Sequence, residues 1–226
     1  MDDSVRLGID FGGSGIKGAL VDVNNGELVS DRHRIPTPDP SAPERVSEVI
    51  KQIVDHFDYK GVVGVAFPAA IQQGIVMTAS NIDESWIGKN AGDLFYQATG
   101  CRTSVLNDAD AAGLAEIRFG NGKDITGVAM MVTVGSGLGT SIFINGTLVP
   151  NTELGHLYYK GKISEHWASD AVRKSEDLSW KKWGKRFSKY LRYLERLFYP
   201  DIIIIGGGAS KKMERFENQL KRVQTK

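Results

Sequence analysis

The chain has 226 residues, 28 Lys+Arg against 27 Asp+Glu and 41% hydrophobic residues, which excludes a disordered polyampholyte, a collagen-like chain and a coiled coil. Its one cysteine, Cys101, cannot close an internal disulfide, no Cys/His cluster has zinc spacing, and the longest apolar run, Ile202 to Ile205, is far too short to cross a bilayer. The acidic start Met1-Asp2-Asp3-Ser4 lacks the basic end of a signal peptide, so a soluble, cytoplasmic protein with no membrane partner is expected.

The elements follow in chain order. Val5 to Phe11, Ile16 to Val23 and Glu27 to Ile35 read as strands, with Asn24-Asn25-Gly26 as a hairpin turn between the last two. A Pro-rich connector leads to a helix over Glu44 to Phe57, whose apolar residues recur at helical spacing, and then to a buried strand, Val62 to Phe67. A strand at Thr103 to Leu106 and a helix from Asp108 to Phe119 come next. The opening order then recurs: strands at Gly127 to Val134, Gly139 to Asn145 and Thr147 to Pro150, a helix opened by Ser179-Trp180 and running to Phe198, and a strand at Asp201 to Ile205. The repeat predicts two similar halves facing a cleft, divided as residues 1–120 and 121–226.

Charge divides unevenly along this order. Residues 1–159 hold 11 Lys+Arg and 19 Asp+Glu, net −8, whereas residues 160–226 hold 17 and 8, net +9. The basic third is either solvated helix surface or the footprint of a polyanionic partner such as nucleic acid, polyphosphate or an acidic protein. Composition alone leaves these open.

Several motifs carry chemistry. Asp10-Phe11-Gly12-Gly13-Ser14-Gly15-Ile16-Lys17 places an acid at a strand end, then a glycine turn, then a cation. Backbone N–H groups in such a turn can approach an anion, and the carboxylate can hold Mg²⁺ through water. These glycines join two strands, which rules out the Walker P-loop and the Rossmann fingerprint and leaves a plain hairpin as the alternative. Thr133, Gly135, Gly137, Gly139 and Thr140 form a matching turn in the second half. Asp108, in Asn107-Asp108-Ala109-Asp110, is either a helix N-cap or a general base; at a helix N-terminus it is expected to be a ready acceptor but a weak base. Glu153-Leu154-Gly155-His156 suits adjacent sugar hydroxyls or is a surface turn. Ser80, Asn81 and Trp86 suit carbohydrate stacking and hydrogen bonding, and Gly206-Gly207-Gly208 serves either close packing or a nucleotide phosphate.

In this order the motifs resemble the ROK sugar kinases (repressor, open reading frame, kinase), of the actin-like ATPase (ribonuclease H-like) α/β fold, and most of all the actinobacterial polyphosphate glucokinases, also described as polyphosphate/ATP glucomannokinases. The resemblance implies two βββαβ-containing lobes flanking a cleft, Asp108 as catalytic base, and a hexose held by Asn81, Asn107, Asp108, Glu153, His156 and Glu165. It further implies donor phosphates on Gly12, Gly13, Ser14, Gly15, Lys17, the Thr133 to Thr140 loop and Gly206 to Gly208, with Asp10 positioning Mg²⁺. Lys160 to Ser164 lacks the cysteines of the zinc motif most ROK kinases carry there, so no zinc is expected. Family chains typically continue past the segment matching Lys226, so truncation is expected. ROK repressors carry a DNA-reading helix-turn-helix ahead of the first strand, and here that strand begins by Val5, so promoter repression is not expected.

The implied reaction is phosphoryl transfer from polyphosphate, and from ATP, to the 6-hydroxyl of glucose, with mannose as a further acceptor, by a homodimer. The alternatives are a strictly ATP-dependent hexokinase and a non-catalytic sugar sensor. With polyphosphate as donor, Lys181, Lys182, Lys185, Arg186, Lys189 and Arg192 are expected to supply a basic helical track.

Overall fold

The computed structural model describes residues 4–159 and 161–225. They form two compact units, Met1–Ala111 and Ala112–Lys226.

The first unit contains β1 (Val5–Gly12), β2 (Gly15–Asp22), β3 (His33–Ile35), α1 (Pro43–His56), β4 (Val63–Phe67), the short pair β5 (Ile71–Gln72) and β6 (Ile75–Val76), α2 (Ala91–Thr99) and β7 (Thr103–Asn107). Helix α3 (Asp108–Phe119) begins there and crosses the division. The main sheet runs β3-β2-β1-β4-β7, antiparallel over its first three strands and parallel from β1 through β4 to β7. Alternation puts Leu7, Ile9, Phe11, Val63, Val65 and Phe67 on one face, where they join Val46, Ile50 and Ile53 of α1 and Phe95 of α2 in a continuous core.

The long third strand expected from Glu27 is not formed. Val21 and Leu28 make only an isolated bridge, and regular pairing resumes at His33. Side chains in the turn compete with the ladder: Asp22 Oδ1 accepts from Asn24 N at 2.9 Å and Asn25 Oδ1 from Glu27 N at 2.9 Å. A wider loop results, in which Gly26, at φ 78°, supplies the left-handed residue.

The second unit contains β8 (Val128–Val134), β9 (Leu138–Ile144), β10 (Thr147–Val149), the short pair β11 (Tyr158–Tyr159) and β12 (Lys162–Ile163), α4 (Glu165–Ala168), α5 (Asp170–Ser175), α6 (Trp180–Phe198), β13 (Ile202–Gly206) and α7 (Gly207–Ser210). Its sheet, β10-β9-β8-β13, repeats the first: two antiparallel pairings, then a parallel strand beside the first. Ser179 caps α6 by accepting from Lys182 N, and Trp183, Phe187, Tyr190, Leu191 and Leu194 bury one stripe of the helix. No helix among the described residues is long and apolar enough to cross a membrane.

Candidate active site

In the first unit the predicted residues collect where the parallel strands end. Asp10 registers with Ala66 and Ala66 with Leu106, so Asp10 and the Asn107-Asp108 pair occupy one sheet edge, about two strand spacings or ~10 Å apart. Carboxyl ends of parallel strands are the usual ligand-binding edge of open α/β sheets. Gly12 pairs with Gly15, leaving Gly13 and Ser14 as the exposed turn. Lys17 Nζ lies 3.4 Å from Asp10 Oδ2, with both side chains largely in solvent.

The helix cap falls on Asn107, not Asp108. Asn107 Oδ1 accepts from Ala109 N at 2.9 Å and Asp110 N at 3.1 Å, while its Nδ2 donates to Ala69 O at 3.2 Å. Asp108 is thereby relieved of the cap, and its Oδ1 accepts from its neighbour Ala109 N at 2.8 Å. Part of Asp108 remains exposed, yet desolvation by surrounding protein dominates and raises its carboxyl pKa; the Ala109 hydrogen bond opposes this and the Asp10 charge adds to it. The weak base expected from the helix N-terminus is therefore corrected to a stronger one.

Two predicted members of this region behave differently. Asn81 is exposed in the loop after β6. Trp86 is fully buried, donates from Nε1 to Ser41 O at 2.8 Å, and packs against Phe67 and Phe95 with centroids at 4.9 and 5.8 Å. It is a core residue, so the carbohydrate-stacking expectation for it is wrong: an apolar ring next to a polar loop segment gained more by burial than by exposure.

In the second unit the same edge is built again. Gly206 registers with Thr133, which sets the Gly206–Gly208 turn beside the loop after β8. Gly207 has φ 77°, and a Cβ there would lie 2.5 Å from Val134 O, so this glycine is required by close packing, whereas Gly208 faces open space. Gly135 N donates to Gly137 O at 3.1 Å, and Asp170 N donates to Gly135 O at 3.1 Å, anchoring the loop to the start of α5. Asp170 is in turn held by Arg173 at 2.5 Å and Lys174 at 2.9 Å; burial pushes its carboxyl up, but these two partners outweigh it and hold it below the usual Asp value. Gly139 closes the loop by pairing with Thr133.

Glu165 and His156 meet next to that loop. His156 Nε2 is 3.3 Å from Glu165 Oε1, His166 Nε2 is 3.7 Å from the same oxygen, and a Cβ on Gly137 would lie 2.6 Å from Glu165 Oε2. Glu153, exposed, precedes the 3₁₀ turn Leu154–His156. Thr140 is buried; its hydroxyl donates to Thr152 O and accepts from Leu154 N at 3.0 Å, which fastens the Glu153 segment to β9.

Sequence reasoning missed three supports. Arg34 Nη2 donates to Ser14 O at 2.5 Å and its guanidinium occupies the space a Cβ on Gly15 would need, at 2.5–2.6 Å. Thr37 Oγ1 donates to Gly12 O at 2.6 Å. Asp170 is the third. Arg34 was recoverable only by pairing β2 with β3 in the register Lys17↔Arg34, which the interrupted third strand obscured.

The chain is similar to known proteins in sequence and in fold. A polyphosphate glucokinase of Mycobacterium tuberculosis strain H37Rv is 44% identical over 211 residues, 93% of this chain and 80% of that protein. The crystal structure of an inorganic polyphosphate/ATP-glucomannokinase from Arthrobacter sp. strain KM superposes with a TM-score of 0.93 at 40% identity, covering 99% of this chain and 90% of that one. A ROK glucokinase from Streptomyces griseus, solved with glucose and AMPPNP, gives a TM-score of 0.81 at 23% identity over 97% and 89% of the two chains, a likeness of fold. The fold is the actin-like α/β fold of ROK sugar kinases. The ROK family pattern matches residues 6–171, spanning both glycine turns and the Asn107-Asp108 edge, and this chain belongs to the ROK family.

Proposed function

We propose that this chain is a glucokinase that transfers the terminal phosphoryl group of inorganic polyphosphate, and of ATP, to the 6-hydroxyl of glucose, with mannose as a second acceptor. The observation that carries the reading is Asp108: a carboxylate relieved of capping by Asn107, at the end of parallel strands, with a raised pKa. The 44% identity to a polyphosphate glucokinase supports the donor and acceptor classes.

In this reading the sugar oxygen attacks phosphorus, the bond from phosphorus to the donor's bridging oxygen breaks, and Asp108 takes the hydroxyl proton. A raised pKa makes that acceptor stronger near neutral pH. Asn107 fixes the backbone that aims Asp108. Glu153, His156 and Glu165, with Asn81 and Asn107, bind sugar hydroxyls; the His156–Glu165 contact orients both side chains toward a fixed donor–acceptor pattern. The turns at Gly12–Gly15 and Gly135–Gly139 offer backbone N–H groups to donor phosphates, with Lys17 and Gly208 beside them.

The donor set fits Mg²⁺ held mainly through water. Among the described residues no group of three or more His, Cys, Asp or Glu side chains could hold a metal ion, and Asp10 offers one largely exposed carboxylate at the strand end. Bound there, the ion would neutralise phosphate charge.

The test is glucose 6-phosphate formation with Mg²⁺, comparing long-chain polyphosphate and ATP, in wild type and Asp108→Asn. Turnover with polyphosphate that is lost in Asp108→Asn is expected. Turnover with ATP alone refutes the polyphosphate donor, and binding of glucose without turnover from either donor replaces the kinase by a sensor.

A further inference from the structure

Three charges stand in a row across the edge of the first sheet. Asp10 pairs with Lys17 between β1 and β2, and Lys17 pairs with Arg34 between β2 and β3, so all three side chains share the face opposite the core residues Ile9, Phe11 and Ile16. Like charges directly opposite one another weaken a sheet, and here one acid stands beside two cations. Lys17 takes that acid, with its Nζ 3.4 Å from Asp10 Oδ2. Arg34 has no carboxylate within 4.0 Å among the described residues. Its guanidinium is nevertheless fixed in place, because Nη2 donates to Ser14 O at 2.5 Å and the group fills the space that a Cβ on Gly15 would need.

This placement makes the turn after β1 a better anion site than its backbone alone. Gly13 and Ser14 are exposed at the turn, whereas Gly15 is covered. Carbonyl oxygens in a turn repel an anion, and two of them here are tied to side-chain donors, Ser14 O to Arg34 and Gly12 O to Thr37 Oγ1 at 2.6 Å. The guanidinium carries five N–H donors in a planar fork, the geometry that meets phosphate oxygens in pairs, and the bond to Ser14 O uses one of them. Only glycine at position 15 lets that fork lie against the turn, since a Cβ would come within 2.5–2.6 Å of Nε, Cζ and Nη2.

We propose that Arg34 is a donor-binding residue, which holds the Ser14 carbonyl with one N–H group and takes the phosphates at the reacting end of the donor with others. The inference rests on the kinase reading above. A donor phosphate beside the turn offsets the second cation of the row, which Asp10 leaves unbalanced by pairing with Lys17. Both donors end in the same phosphates, so ATP and polyphosphate depend on Arg34 alike.

The test compares wild type with Arg34→Gln, Arg34→Lys and a control, Arg102→Gln, an exposed arginine just before β7 and so at the far end of that strand from Asn107. Glucose 6-phosphate formation with Mg²⁺ is measured while ATP, polyphosphate and glucose are varied in turn, together with thermal melting. Arg34→Gln is expected to raise the KM for both donors about tenfold and to leave the glucose KM within about twofold. It should melt no lower than wild type, because Lys17 loses a like-charged neighbour. Arg34→Lys, which keeps the charge, recovers at least about threefold of the donor loss, and the control stays within about twofold of wild type. Gly15→Ala, whose Cβ displaces the guanidinium, is expected to raise the donor KM in wild type but to add less than about twofold in Arg34→Gln. An unchanged donor KM, a glucose KM that rises as much as the donor KM, no recovery by lysine, or full additivity with Gly15→Ala overturns the assignment. Wild type that forms no glucose 6-phosphate from either donor instead removes the kinase reading, and the assignment with it.

Discussion

Gly155 packs the turn Leu154–His156 directly against Leu138 at the start of β9, and Gly155→Ala is the sharpest probe of that packing. A Cβ there would lie 2.1 Å from Leu138 O and 3.1 Å from Leu138 C, both backbone atoms that no rotamer change can move. Ordinary contact begins near 3.4 Å, so the turn Leu154–His156 and the start of β9 must separate by about 1.3 Å. That movement strains the Thr140 hydroxyl's bonds to Thr152 and Leu154 and displaces Glu153 and His156. Overpacking of this kind costs about 1–3 kcal/mol, which in a chain of this size lowers the melting temperature by about 2–12 °C. A misplacement of about 1 Å in a positioning group costs up to about 100-fold in kcat/KM. The assay is thermal melting together with the glucose dependence of phosphorylation, with Gly64→Ala as control because a Cβ there meets nothing within 4 Å. Wild-type melting and wild-type kcat/KM for glucose in Gly155→Ala would refute the claim that this packing positions the sugar-binding groups.

Further outcomes are expected for three variants. Asp108→Asn lowers kcat about 10²–10⁴-fold with glucose affinity retained, and in wild type the acid limb of kcat/KM lies above the ordinary Asp value of 3.8, because only the ionised carboxylate accepts the proton; a loss under tenfold, or a rate unchanged through that range, contradicts the base assignment. Because a raised carboxyl pKa means the folded state binds the proton more tightly than the unfolded, this group's contribution to stability falls as pH rises through the window above 3.8, and Asp108→Asn should melt no lower than wild type at neutral pH. Asp170→Asn loses about 1–3 kcal/mol near pH 7 by urea unfolding, and since the folded carboxyl titrates below the unfolded value of 3.8, the gap from wild type closes as pH falls through the lowered value; a gap independent of pH contradicts the ion-pair account. Trp86→Phe destabilises by about 1–3 kcal/mol while leaving the glucose KM within about twofold, whereas a raised KM with unchanged melting would restore a sugar-stacking role.

The strands were legible where one face is buried. Val5 to Phe11 alternates apolar and small or polar residues, and the structure buries Leu7, Ile9 and Phe11 as that pattern requires. Helix α6 was equally plain, from its Ser179 cap to its helical spacing of aromatic residues. Helix α2 was missed because only nine residues, with Ala91 and Phe95 as the buried pair, announce it; its Asn90 cap and the left-handed Gly100 that stops it are signals at its ends alone. The glycine turns and Asp108 could be located by their place after strands. Their supports could not, because the Arg34–Ser14, Thr37–Gly12 and Gly155–Leu138 contacts join residues 17 to 25 positions apart in sequence. The role of Asn107 turned on a competition between adjacent side chains for the same N–H groups, which local sequence does not decide.

The charge segregation has a physical sense in this chemistry. Residues 1–111 carry 9 Lys+Arg against 16 Asp+Glu, net −7, and residues 112–226 carry 19 against 11, net +8. A base that must take a proton late in phosphoryl transfer gains from negative surroundings, and the Asp10 charge acts on Asp108 in that sense. A donor with a charge on every phosphate is instead attracted and retained by positive ones. Mixing the two signs evenly through the chain would weaken both effects at once, lowering the proton affinity of the base and the attraction for the donor. Segregating the acids in residues 1–111 and the cations in residues 112–226 avoids both losses.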